Sequence, residues 1–281
     1  MNATSYPTQS HAVSDPAYPA AHRPGSLQAE WRDSDVPGAW PTRSSLEVGH
    51  DRSQPHWRSS LDMIESHVPV TKHRVRANDE LYACGQPFEK LHLINSGIFK
   101  IVTLAPDGRE RSADFSFDGD WLGFDGIPTG QHSCTAVALD IGEVWTVCYS
   151  TLMQAAAKAP SLLHHVLSAI SAQLARNRDI ALSIGTLSAD ARVADFLLMW
   201  AKSLAERGRR TDEINVHMSR ADIGAFLGIR LESVSRSLTK LAQAGVIEFN
   251  ERGRRDISIP DLAALSHFVQ SDAESSCRVL Q

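Results

Sequence analysis

Ser219-Arg-Ala-Asp-Ile-Gly-Ala-Phe-Leu-Gly228 and Leu231-Glu-Ser-Val-Ser-Arg-Ser-Leu-Thr-Lys-Leu-Ala-Gln-Ala-Gly245 are the two runs whose reading decides the fold. Ser219 offers an N-cap hydroxyl and Asp222 a carboxylate three residues on, the pattern of a capping box, and Gly228 ends the short helix that follows. A helix this short is stable only against a partner. After a turn of about three residues the second run supplies one, so the pair reads helix, tight turn, helix. In the second helix Val234, Leu238 and Leu241 fall at i, i+4 and i+7 and face inward. Glu232, Ser235, Arg236 and Thr239 carry the same periodicity on the opposite side.

That outer face is made of side chains able to read base edges. Arginine matches guanine O6 and N7 with two hydrogen bonds, glutamate accepts from cytosine N4, and serine serves either a base or a phosphate. Ser219, Arg220 and Ser233 flank the same face. Beyond Gly245, Val246-Ile-Glu-Phe249 and Asp256-Ile-Ser-Ile259 enclose Asn250-Glu-Arg-Gly-Arg-Arg255. This is the pattern of a wing hairpin with a basic tip, and Arg254 and Arg255 suit phosphate contact. A charged helix face is usually only solvated, and helix-turn-helix spacing alone recurs by chance. Cap, turn, reading face and basic wing together favour DNA.

Working outward, the chain has 281 residues, 28 basic and 33 acidic, and a formal charge of −5, which excludes a uniformly basic coat. The basic balance is local: residues 207 to 256 carry ten basic and seven acidic side chains, against 8 and 13 for residues 61 to 160. No apolar run approaches the ~18 residues of a membrane span, and the first residues lack a signal-peptide core, so a cytoplasmic protein is expected. Residues 1–60, with seven of the 13 prolines, read as a disordered tail in which Trp31, Trp40 and Trp57 are either solvated or docked. Residues 61–159 read as a strand-rich domain. Leu91-His-Leu-Ile-Asn-Ser-Gly97-Ile-Phe-Lys-Ile-Val-Thr103 reads as two strands turning at Asn95-Ser96-Gly97, Pro106-Asp107-Gly108 as the next turn, and Thr135 to Tyr149 as another pair broken at Asp140-Ile141-Gly142. Residues 160–186 read as one long helix. Along it Leu163, Val166, Leu167, Ile170, Leu174, Asn177, Ala181 and Ile184 form a seam, either packed on the strand domain or paired across a homodimer, where Asn177 would fix register. Residues 187–268 read as the helix-turn-helix domain and 269–281 as a C-terminal tail. The fold class is α+β.

The stretch Met218 to Leu238, with Glu232-Ser-Val-Ser235-Arg236 inside it, resembles the winged helix-turn-helix of the Crp/Fnr superfamily of bacterial transcription regulators, specifically its Fnr/FixK branch. Leu91-His-Leu-Ile-Asn-Ser-Gly-Ile-Phe-Lys and Gly119-Asp-Trp-Leu-Gly-Phe-Asp-Gly-Ile127 look like the corresponding strand-domain segments. The likeness spans about 61 to 268 and implies a β-roll sensory domain, a dimerisation helix and a winged helix in that order. It also implies a homodimer on an inverted repeat close to TTGAT-N4-ATCAA, with RNA polymerase as partner.

Departures from the pattern bear on the signal. Cyclic-AMP-binding members carry a glutamate after the cassette glycine and an Arg-Ser pair; here Phe124 follows Gly123 and His132 precedes Ser133. A cyclic phosphate would lose its cation and the ribose its acceptor. The cluster-binding members have cysteines ahead of the β-roll and one inside it. This chain has none before Cys84, and Trp145 stands where the internal ligand belongs, so no iron–sulfur cluster is implied. No C-x-x-C pair marks a zinc site, and the scattered His67, His73, His92 and His132, with His164 and His165 about 100° apart on a helix, mark no metal. Neither metal nor cofactor is expected. Cys84, beside Gly85, is the candidate redox thiol. No nucleophile elbow, P-loop or zinc-protease motif suggests an enzyme. Two alternatives remain open: a haem- or thiol-based gas or redox sensor of the same class, and a small-molecule-binding β-roll with a scaffolding C-terminal domain.

Overall fold

The fold was obtained as a computed structural model, which describes residues 56–104, 110–211, 213–216, 218–249 and 256–279. The chain enters through helix α1 (His56–His67) and continues into eight strands: β1 (Thr71–Val75), β2 (Glu80–Tyr82), β3 (Lys90–Ser96), β4 (Phe99–Leu104), β5 (Glu110–Ser116), β6 (Trp121–Leu122), β7 (Thr135–Ala138) and β8 (Gly142–Cys148). They form two antiparallel sheets in the orders β1-β8-β3-β6 and β2-β7-β4-β5. Alternation along β3 explains the layering. Ile94 points between the sheets with Phe99, Ile101 and Val144, whereas Leu91 and Leu93 point outward to a second core under the helices.

Two sequence expectations change here. β3 and β4 were read as joined by a tight hairpin turn, but Gly97, at φ 111°, carries the chain from one sheet to the other, and β3 pairs with β8 while β4 pairs with β5. The break at Asp140-Ile141-Gly142 does the same between β7 and β8. A turn residue specifies a change of direction, not the strand's partner. The turn at Pro106-Asp107-Gly108 lies outside the described residues. Helix α1 also begins inside the span assigned to the tail, because Leu61, Ile64 and Val68 fall on one face and bury against the outer core.

Helix α2 (Tyr149–Ala156) leads to α3 (Pro160–Thr186), which starts at a proline whose missing N–H costs nothing there. Its own-body face is Leu162, Val166, Ala169 and Ile170, all packed on the outer core of the β-roll, with Ile180 against the C-terminal core. The seam read from sequence therefore splits. Val166 is buried and Ile170 half-buried inside the protomer, and Ile184 is half-buried, while Leu163, Leu167, Leu174, Asn177 and Ala181 are exposed. Two stripes about 100° apart share the helix, and hydrophobicity alone merges them.

Helix α4 (Ala189–Ala205) follows a Ser188 N-cap, then β9 (Glu213–Asn215), α5 (Arg220–Leu227), α6 (Leu231–Gln243), β10 (Glu248–Phe249), β11 (Asp256–Ser258) and α7 (Leu262–Val279). The three strands form a sheet in the order β10-β11-β9. The expected C-terminal tail is a continuation of α7. Leu265 is buried and Phe268 and Val269 pack against the same core, and Asp272 accepts hydrogen bonds from the Ser188 hydroxyl at 2.8 Å and backbone N–H at 3.0 Å. Among the described residues no helix is long and apolar enough to cross a membrane.

Candidate nucleic-acid interface

The capping box at Ser219 forms as the sequence indicates: the Ser219 hydroxyl accepts from Asp222 N–H at 3.1 Å and Asp222 Oδ2 accepts from Ser219 N–H at 3.1 Å. The hydroxyl also donates to Asp222 Oδ2 at 2.7 Å, so Ser219 serves the helix before it serves any ligand. Gly228, at φ 66°, ends α5. Gly224 makes the tight turn possible, since a Cβ there would lie 2.7 Å from the Ile229 carbonyl oxygen.

Helix α6 buries Val234, Leu238 and Leu241 as expected, together with Ser237, whose hydroxyl donates to Asp190 Oδ1 at 2.6 Å. Lys240 reaches the other oxygen of Asp190, so one carboxylate of α4 pins α6. Burial pushes the Asp190 carboxyl up, but the Lys240 and Ser237 hydrogen bonds outweigh it and hold the group below the usual carboxylate range.

The outer face is less uniform than its periodicity. Glu232 and Arg236 are exposed, with Arg236 Nε donating to the Glu232 carbonyl at 3.4 Å. Ser233 and Ser235 are half-buried. The Ser235 hydroxyl accepts from Arg220 Nη1 at 3.0 Å, and the exposed Thr239 turns its hydroxyl back to donate to the Ser235 carbonyl at 2.9 Å. Arg220 also lies 6.0 Å from the centre of the Phe249 ring, so it links α5, α6 and the first wing strand. Glu232 and Arg236 are thus the long polar side chains presented outward, and Ser235 and Arg220 are set beside them. Arg254 and Arg255 lie outside the described residues.

Leu231 escaped the sequence reading. It is 45% exposed at the first position of α6, in line with the inward stripe of Val234, Leu238 and Leu241 but at the helix end beyond the core, where an apolar side chain can meet a thymine methyl.

In the β-roll the cassette-like segment is closed on itself. Gly123 adopts φ 101°, Phe124 stacks on Trp121 at 6.1 Å, and Asp125 accepts from Ser133 N–H at 2.8 Å and lies 3.5 Å from His132 Nδ1. A carboxylate already occupies the donors that would greet a phosphate. Cys84 is exposed, its thiol donating to the Ser133 carbonyl at 3.5 Å. Among the described residues Cys148 is the activated thiol, and it carried no sequence signal. It is exposed at the N-cap of α2, and the Ser150 hydroxyl and Thr151 N–H lower it to about 7, whereas burial pushes Cys134 up to about 12. His73, His92 and His132, scattered in sequence, converge on one cavity. Among the described residues no cluster of His, Cys, Asp and Glu is arranged to hold a metal ion.

Comparisons with known proteins agree with this geometry. Residues 72–159 match the cyclic nucleotide-binding domain family and residues 191–268 the Crp-like helix-turn-helix domain family. The chain is 31% identical over 193 residues to the fumarate nitrate reduction regulatory protein of Klebsiella oxytoca, covering 68% of this chain and 75% of that one. It is 30% identical over 204 residues to the anaerobic regulatory protein of Haemophilus influenzae, covering 73% and 76%. The solved structure of FixK2 from Bradyrhizobium japonicum aligns with TM-score 0.63 and 29% identity over 71% of this chain and 97% of that one.

Proposed function

Because the chain belongs to the Crp/Fnr family of transcription regulators, we propose that it binds as a homodimer to an inverted repeat close to TTGAT-N4-ATCAA and there recruits or excludes RNA polymerase in the cytoplasm. The observation that carries this reading is the outward presentation of Glu232 and Arg236 on a helix whose opposite face is fully committed to the core. Arg236 takes a guanine edge, Glu232 a cytosine amino group, and Leu231 a thymine methyl. Ser233, Ser235 and Thr239 line the same helix, while Arg220, Ser219, Arg254 and Arg255 serve the backbone or the positioning of the readers.

The dimer reading is supported by the outer stripe of α3. Leu163, Leu167 and Leu174 are 40%, 55% and 69% exposed at heptad-like spacing, with Asn177 and Ala181 continuing the same face. Twofold pairing of that stripe would set two recognition helices for successive major grooves.

Selection of bound duplexes from a random pool tests the reading. The wild type is expected to enrich the inverted repeat, and Arg236→Ala to lose about 1 to 3 kcal/mol on it with relaxed preference at one guanine per half-site. Equal loss on selected and random DNA would remove α6 from the role of reader.

A further inference from the structure

Helix α4 carries the helix-turn-helix with it, since its Asp190 pins α6, and its covalent joint to α3 is Leu187 and Ser188. A joint that short holds one end of α4 and leaves the other free to swing. Phe115 and Phe117 pack on Phe226 and Trp200 and resist separation, but burial of apolar area is not directional and does not by itself fix an angle.

A directional attachment lies at the far end of α4, which is 17 residues or about 25 Å long. There Arg207 Nη2 donates to Asp120 Oδ2 at 3.1 Å and Arg207 Nε to the Asp118 carbonyl at 2.6 Å, while Arg209 pairs with the Asp118 carboxylate. The other oxygen of Asp120 pairs with Arg176 of α3 at 3.2 Å. One carboxylate thus ties α3 to the end of α4 that the covalent joint leaves loose. That carboxylate is itself held still. Phe117 N–H donates to Asp120 Oδ2 at 2.8 Å, and the turn is clamped to β3 by Gly119 N–H on the Ile94 carbonyl at 2.7 Å and Ile94 N–H on the Asp120 carbonyl at 3.0 Å. The side chains of Asp120 and Arg207 are each 10% exposed. Ion pairs so buried add little net stability over an apolar filling, and their use is to specify one arrangement against others.

We propose that Asp120 is a positioning residue for DNA reading: by joining Arg176 of α3 to Arg207 it fixes the angle of the helix-turn-helix domain on α3, and with it the spacer length that two copies of α6 accept. It acts through Arg207 and α4, not by touching DNA. The proposal rests on the inverted-repeat reading above and adds what sets the spacing.

The test is fluorescence anisotropy of the full chain on duplexes with a four-base spacer, a five-base spacer and a single half-site. Asp120→Asn cuts both arms of the link, Arg207→Gln the arm to α4 and Arg176→Gln the arm to α3, the last at a side chain 39% exposed whose loss the fold tolerates. Each variant should reduce the preference for the four-base spacer about threefold or more while half-site affinity stays within about twofold of the wild type. Adding Arg176→Gln to Asp120→Asn should change nothing further, because the pair is already broken. The proposal is overturned if the variants keep the wild-type preference, if they lose affinity on all three duplexes alike, or if the two substitutions add. A wild type indifferent to the spacer would remove the inverted-repeat reading itself, and this proposal with it.

Discussion

The Ser235 hydroxyl already holds the Arg220 guanidinium, so the serine of the E-x-x-S-R motif has a positioning partner within the protein itself. Arg220→Ala is accordingly expected to weaken cognate and random DNA together, in contrast to Arg236→Ala, when both are measured by fluorescence anisotropy. Two further residues make separate predictions. Alkylation by iodoacetamide should be faster at Cys148 than at the buried Cys134, with a rate that rises through a midpoint near its pKa of about 7, mapped by peptide mass spectrometry. Asp114 is 8% exposed with Oδ2 unpaired, and burial raises its carboxyl against the pull of Phe115 N–H and Arg176. A raised carboxylate penalises the folded state above its folded pKa, and the penalty fades as pH falls toward the unfolded value near 4. Asp114→Asn should therefore raise Tm at pH 7 by about 2 to 4 °C and gain little near pH 4, followed by calorimetry. At this scale the sequence shows what is periodic or local: the Ser219 cap, and Val234, Leu238 and Leu241 facing inward. It hides the Arg220–Ser235 bridge and the meeting of His73, His92 and His132, because those partners are brought together only by the tertiary fold.

Helix α3 shows how an element can be located from sequence while its faces are confused. Its span was legible, but one apolar stripe packs on the β-roll and the other is exposed, and Val166 and Leu167 are adjacent in sequence yet belong to different stripes. On the proposed dimer, Leu167→Glu places a carboxylate in the outer stripe and should shift sedimentation toward monomer at neutral pH. Asn177→Asp should do so more at pH 8 than near the carboxylate pKa, since the new charges meet across the twofold axis. A Leu167→Glu variant that stays dimeric would place the interface off this helix. The strands teach the same lesson. Gly97 and Gly142 announce turns correctly, but their strands find partners in opposite sheets, which only long-range packing decides.

Across the whole molecule the β-roll and the helix-turn-helix share one core. Phe115 and Phe117 of the β-roll enter the cluster that holds Phe196, Trp200, Phe226 and Leu238, with Phe115 4.9 Å from Phe226 and Phe117 4.9 Å from Trp200. Charges tighten the joint: Arg207 pairs with Asp120 at 3.1 Å, Arg209 pairs with Asp118, and Lys100 of β4 lies 3.4 Å from Asp222 in the capping box of α5. Burial pushes Asp222 up, but Ser219 and Lys100 together hold it below the usual carboxylate range. A depressed carboxyl stabilises above its unfolded pKa and loses that contribution as pH falls through the folded one, so this contact should weaken below about pH 4. Phe115→Ala should cost about 3 to 5 kcal/mol in denaturant unfolding. The domain order was legible from motif and charge, whereas this joint was not, since β5 carries no sign of a distant aromatic partner.

The central claim is that two copies of α6, held at fixed spacing by α3, read the two halves of an inverted repeat through Arg236. The measurement that bears on it most directly is fluorescence anisotropy of the purified full chain on TTGAT-N4-ATCAA and on the same duplex with one base pair added to the spacer. Two protomers should bind the first duplex, and the longer spacer should weaken binding at least about tenfold because it rotates one half-site by about a tenth of a turn away from its helix. Equal affinity for both duplexes, or saturation at one protomer per duplex, would contradict the account.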